Sequence, residues 1–95
     1  MKKMVIKTKN KKDFFELMSG LSNQRLELLW WIKEHSPDSV YELAKIVNKS
    51  QPYVQKELKF LEKKGFIVLK KTKINGRKRV APIMEYNILS FEMEF

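Results

Sequence analysis

Cysteine is absent from the chain, which excludes disulfides, thiolate nucleophiles and cysteine-based metal sites. Histidine is nearly absent. His35 stands alone beside Glu34, with no second metal ligand near it in the sequence, and reads as a helix-end residue interacting with the helix dipole. General acid–base chemistry needs a histidine or paired carboxylates held close to a nucleophile, and here the carboxylates are scattered along helix surfaces. Glycine numbers three and proline three, and no Gly-rich phosphate loop can be assembled from them. No catalytic residue, no cofactor and no metal ligand is therefore expected, and the chain is not read as an enzyme. Long apolar runs are missing as well. The longest, Leu28 to Ile32, is far short of the roughly 20 residues that a membrane-spanning helix requires. Lys2 and Lys3 are not followed by the apolar segment of a signal peptide. A cytoplasmic location is the expectation.

Acidic residues are also scarce: eleven against twenty Lys plus Arg, for a net charge of +9. Such an excess costs self-repulsion and is commonly kept for a polyanion. Its placement says more than its size. Residues 45–79 carry twelve Lys or Arg against Glu57 and Glu62, a local charge of +10. The segments 1–20, 21–44 and 80–95 carry +4, −2 and −3. More than the whole net charge thus sits between Lys45 and Arg79. For Lys2, Lys3, Lys7, Lys9, Lys11 and Lys12 a solvated face is explanation enough.

What remains is a chain of 95 residues, 43% hydrophobic, which suits one α+β domain with a thin core. Met4 to Thr8 reads as a short strand with Met4, Ile6 and Thr8 on one face. Asn10 caps a helix from Lys11 to about Met18, where Phe14, Leu17 and Met18 form the stripe and Ser19-Gly20 ends it. Ser22 caps the next, running to about His35. Leu26, Leu29, Trp30 and Lys33 recur there at helical spacing, widened by Leu28, Trp31 and Ile32, and Trp30 and Trp31 are read as core or dimer interface. Ser39 with Glu42 makes a capping box that opens a helix from Val40 to Val47, its inner face Val40, Leu43, Ala44 and Val47. Asn48 tolerates the left-handed turn. Ser50 caps a helix to Lys64 with Pro52 in its first turn and Val54, Leu58 and Leu61 inside. Gly65 stops it. A strand is expected over Phe66–Ile74, a hairpin turn at Asn75-Gly76 and a return strand from about Lys78 to Ile83. Leu89, Phe91, Met93 and Phe95 alternate with polar residues as a half-buried strand does.

Two short helices meeting at a tight turn, followed by a basic hairpin, carry the function. Ala44 is small where helices cross, Asn48 lies at the turn, and Val54 and Leu58 follow at the spacing that a helix-turn-helix packs. The stretch Ser39–Arg79 resembles a winged helix-turn-helix of the broad MarR-like and ArsR-like kind, and Leu61-Glu62-Lys63-Lys64-Gly65-Phe66-Ile67 resembles the join between recognition helix and wing. The whole chain, including Pro37 to Ala44 and the C-terminal strand, is similar to small archaeal winged-helix regulators. Asn48 departs from the Gly common at that turn. The resemblance implies a three-helix core with a β-hairpin wing and short N- and C-terminal strands. Residues 1–20 would form the N-terminal strand and short helix, 22–64 the helical core, with the helix-turn-helix at 39–64, 66–83 the wing, and 86–95 the last strand.

A helix from Ser50 to Lys64 is about 22 Å long, and the major groove admits one such helix by its N-terminal turns. Gln51 and Gln55 can donate and accept at once, which suits adenine. Lys56 and Lys59 suit phosphate or guanine. Tyr53 has two readings, packing on the first turn or touching DNA. On the wing, Lys71, Lys73, Arg77, Lys78 and Arg79 would follow the backbone, with Arg77 at the tip suited to a minor groove. Ser39, Tyr41 and Ser50 belong to the helix N-termini, whose amides hold phosphate. The expected activity is sequence-specific binding of double-stranded DNA by a transcription regulator, a repressor or autoregulator. A homodimer is expected through the N-terminal segment and C-terminal strand, because the apolar residues at both ends exceed what a three-helix core needs. The alternative is a winged-helix protein–protein module, which should show an apolar patch in place of the basic wing.

Overall fold

A computed structural model describes residues 2–95. It is an α+β structure of four helices and two small sheets. In chain order these are β1 (Lys3–Thr8), α1 (Lys11–Gly20), α2 (Asn23–His35), α3 (Val40–Val47), α4 (Gln51–Lys63), β2 (Val68–Ile74), β3 (Arg77–Ile83) and β4 (Ile88–Met93).

Each helix starts where a short polar side chain can take up an orphan amide. Asn10, Ser22, Ser39 and Ser50 accept from the amides of Asp13, Arg25, Glu42 and Tyr53. The capping box at α3 is displaced by one residue. Glu42 Oε2 accepts from the amide of Asp38, not from that of Ser39. Asn48 ends α3 in the left-handed region, φ 56°. At the end of α4 the Phe66 amide donates back to the Leu61 carbonyl at 2.9 Å. That folds the chain under the helix and buries both Phe66 and Ile67. The expected strand from Phe66 therefore starts two residues later, at Val68.

Two other expectations are corrected. Ser19-Gly20 does not break α1, which runs through Gly20. A Cβ on Gly20 would lie 3.1 Å from the Phe60 ring, so the residue is small to let α4 approach. On α2, the buried face is Leu28, Leu29 and Ile32, while Leu26 is 42% and Trp30 66% exposed. The spacing i, i+1, i+4 won over the stripe through Leu26 and Trp30. That face packs against Leu43 and Ala44 of α3 and Val54, Leu58 and Leu61 of α4.

The core joins these residues to Leu43 and Ala44 of α3, Val54, Leu58 and Leu61 of α4, and Phe66 and Ile67. None of α1 is buried, so it flanks the core rather than building it. β2 and β3 form an antiparallel hairpin from Val68↔Ile83 to Ile74↔Arg77. Its turn, Asn75-Gly76, has both residues at positive φ, 53° and 79°, as a two-residue hairpin turn with the right twist requires. β1 and β4 pair with each other in parallel, Lys3↔Ile88 to Thr8↔Met93, although the whole domain separates them in sequence. No helix among the described residues is long and apolar enough to cross a membrane.

Tyr86 ties the two sheets to the core. Its hydroxyl donates to the Phe66 carbonyl at 2.8 Å, and the ring is buried. Burial raises its pKa above the ordinary value of 10.0. The neutral form is thus favoured by folding. The contribution is complete below that ordinary value and is lost as pH rises through it towards the higher folded one. Tyr86→Phe is expected to cost about 1–2 kcal/mol by leaving a buried carbonyl unpaired, and to flatten the alkaline limb of a stability–pH curve from denaturant titrations.

Candidate nucleic-acid interface

The N-terminal ends of α3 and α4 converge on one side of β3. Between them lies an open groove of about 510 Å³, lined by Ser39, Val40, Tyr41, Gln51, Gln55, Arg77, Lys78, Arg79 and Val80. Residues from three separate elements meet there, and seven of them were singled out from the sequence alone. Gln51 and Gln55 are one turn apart on α4, beside the buried row Val54, Leu58 and Leu61. Both are exposed. Two amide side chains capable of donating and accepting thus face a gap walled by guanidinium and ammonium groups.

The remaining expected residues fall in other places. Lys56 and Lys59 are exposed on the outward side of α4, next to the groove rather than in it. Ser50 is engaged as the α4 cap, its Oγ 3.3 Å from the Tyr53 amide. Ser39 is 6% exposed and its Oγ accepts from the Glu42 amide at 3.0 Å, so it shapes the α3 end more than it presents a surface. Tyr53 turns away from the groove to α2, where its hydroxyl pairs with Gln24 Oε1 at 2.9 Å. There it lines a separate cavity of about 190 Å³ together with Trp31, Val47 and Lys49. No local sequence pattern signals this cavity.

The hairpin divides its cations. In an antiparallel ladder, directly opposed residues share a face. Thr72 opposes Arg79 and Ile74 opposes Arg77, whereas Lys73 opposes Lys78 and Lys71 opposes Val80. Arg77 and Arg79 therefore share one face with Thr72, Ile74 and Ala81. Lys71, Lys73 and Lys78 share the other. The hairpin is positive on both faces, and of its two strands only β3 lines the groove.

One acidic residue in this region was missed. Asp38 Oδ1 lies 3.5 Å from Arg79 Nη1, linking the α2–α3 turn to β3. Nothing in the local sequence signals this, since 41 positions separate the partners (79 less 38). Lys45 Nζ sits 5.2 Å from the Tyr41 ring centroid, within cation–π range, and adds positive charge beside the groove mouth. In the sequence, Lys45 is distinguished only by its contribution to the charge of residues 45–79.

Residues 20–91 match the family model HVO_A0114, and the chain belongs to the HVO_A0114 family. The match spans the helices α2–α4, the hairpin and most of β4, and so includes every residue of the groove. No curated protein matches the chain, and no solved structure does.

Proposed function

We propose that this protein is a winged helix-turn-helix regulator that binds duplex DNA sequence-specifically. α4 serves as the recognition helix in the major groove, and the β2–β3 hairpin is the wing on the backbone or minor groove. It acts in the cytoplasm as a repressor or autoregulator, without catalysis, cofactor or metal.

The observation that carries this reading is the groove itself. Gln51 and Gln55 share it with Arg77, Lys78 and Arg79, so groups suited to base edges and groups suited to phosphates converge on one concave side. That pairing is what a DNA interface needs: phosphate contacts fix position and base contacts choose sequence. Lys56 and Lys59 extend the positive surface along α4. A protein-docking module would replace these groups with an exposed apolar patch, and Tyr41 is the one large exposed apolar side chain among the residues lining the groove.

Selection from a random duplex pool with the full chain tests the reading. Enrichment of a defined motif is the expected outcome, with Gln55→Ala changing preference at one position. Binding to all duplexes without enrichment removes base readout from the proposal. Enrichment only from a parallel pool of single-stranded RNA, or binding to neither, overturns it.

A further inference from the structure

The sheet formed by the chain ends is unfinished. β1 and β4 are its two strands, and a two-stranded sheet is marginal alone, the more so when parallel. The hydrogen bonds reveal which groups are unused. The amides of Ile88 and Glu94 donate to the carbonyls of Lys2 and Thr8 at 3.3 and 3.0 Å. Backbone groups alternate between the two edges of a strand, so Leu89, Phe91 and Met93 direct their N–H and C=O groups to the opposite edge. No strand among the described residues pairs there, and an open edge is a template for another chain.

We propose that the partner on this edge is a second copy of the same chain. β4 pairs antiparallel with β4 of the copy about a two-fold axis at Phe91, which gives a four-stranded sheet in the order β1-β4-β4-β1. Charge selects β4 over β1. The β1 edge bears Lys3 and Lys7 with Lys2 and Lys9 at its ends, and edge lysines guard against pairing. A two-fold at Val5 would set Lys3 against Lys7 of the copy. The stretch from Ile88 to Phe95 contains no Lys, Arg or Pro.

With the axis at Phe91, Leu89 faces Met93 of the copy, Ser90 faces Glu92 and Ile88 faces Glu94. No carboxylate meets its like, which would be destabilising. Leu89, Phe91 and Met93 exchange backbone bonds in pairs, as the narrow rungs of an antiparallel ladder do. On the outer face, the acidic β4 strands are flanked on both sides by lysine-bearing β1 strands. The 4.0 Å contact of Lys7 with Glu92 is the half of that arrangement already present within one chain. On the inner face, Leu89, Phe91 and Met93 are only half-buried in the single chain, and the copy covers them with its own. This closed isologous contact would relate two grooves by a two-fold axis. Under the DNA-binding reading that predicts a pseudo-palindromic site, but the contact stands without it.

Sedimentation equilibrium and amide hydrogen exchange on the full chain, without nucleic acid, test the proposal apart from the DNA reading. The expected mass is that of a dimer. The amides of Leu89, Phe91 and Met93 gain protection as concentration rises, while those of Ser90 and Glu92, held by β1, are protected throughout. Ser90→Glu, which sets a carboxylate against Glu92 of the copy, gives a monomer with unchanged far-UV dichroism. Ser90→Lys, which sets a cation against Glu92 of the copy, keeps the dimer. A monomer at every concentration overturns the proposal. So does a dimer in which the Leu89, Phe91 and Met93 amides exchange as fast as in dilute solution, a result that needs no variant to fold.

Discussion

Arg25→Ala is expected to lower the unfolding free energy by about 2–4 kcal/mol, more than any other single removal of a polar contact in this chain. Arg25 Nε lies 2.6 Å from Glu57 Oε2, with the two side chains only 24% and 13% exposed. Nη1 donates to the Gly20 carbonyl, also at 2.6 Å. The guanidinium carbon sits 3.6 Å from the centroid of the Phe60 ring. One planar group thus satisfies a carboxylate on α4, a carbonyl at the end of α1 and an aromatic face. Surface ion pairs contribute little because water already serves both charges. This one is different, since truncation would leave Glu57 poorly solvated and without its cation. Arg25→Lys keeps the charge but not the fork or the stacking, and is expected to recover less than half of the loss. Urea titrations of the two variants and of Glu57→Gln supply the comparison. An Arg25→Ala loss no larger than that of an exposed pair, below about 0.5 kcal/mol, would show that the three helices are held by the apolar core alone.

The same residue marks where sequence reading stops. By sequence alone Arg25 is one unit of charge. Its partner is 32 positions away, and no local rule pairs two residues at that distance. Rules that act within one turn of chain did much better. The four caps are local competitions for an amide three residues on, and all four fell on Asn10, Ser22, Ser39 and Ser50. The Asn48 turn is decided by one positive φ and the Asn75-Gly76 turn by two, and Asn tolerates that region better than most residues.

Faces were harder to read than elements. α3 has a clear apolar side, and Leu43 and Ala44 are buried as its spacing implies. α2 is apolar nearly all round, so periodicity could not choose between Leu26 with Trp30 and Leu28 with Ile32. Packing against α3 and α4, which is tertiary, settled it. The groove was legible for a related reason. Each of its residues was placed by its own local element, Gln51 and Gln55 by the α4 cap, Arg77 to Arg79 by the Asn75-Gly76 turn. What joined them was the crossing of α3 over α4, which the Ala44–Asn48–Val54–Leu58 spacing already required. Asp38 escaped because its partner is chosen by how the wing folds back, and Tyr53 because two packings of one ring were equally compatible with its position on the helix.

Neutralising the groove's cations should weaken binding to every duplex alike, whereas truncating its amides should weaken binding to one. For six to ten phosphate contacts, affinity of the unaltered protein is expected to fall by ~10³–10⁵ between about 50 and 200 mM salt. Each phosphate contact contributes about 0.9 to the slope of log affinity against log salt, so Arg77→Ala with Lys78→Ala should reduce that slope by up to about 1.8 and leave the preferred sequence unchanged. Gln55→Ala should do the reverse: an unaltered slope and a loss of about 1–3 kcal/mol confined to duplexes carrying the preferred base. Asp38→Asn provides a control of opposite sign. Asp38 lies 3.5 Å from Arg79 and sets a negative charge beside the surface that the proposal assigns to phosphate. Its neutralisation should raise affinity for all duplexes and steepen the salt slope. That gain is incompatible with a merely structural role for the Asp38–Arg79 pair, because losing a structural tie can only loosen the wing. If Asp38→Asn weakens binding while Gln55→Ala lowers it evenly across sequences, the groove holds the wing in place and reads no bases, and the regulator reading fails at its central point.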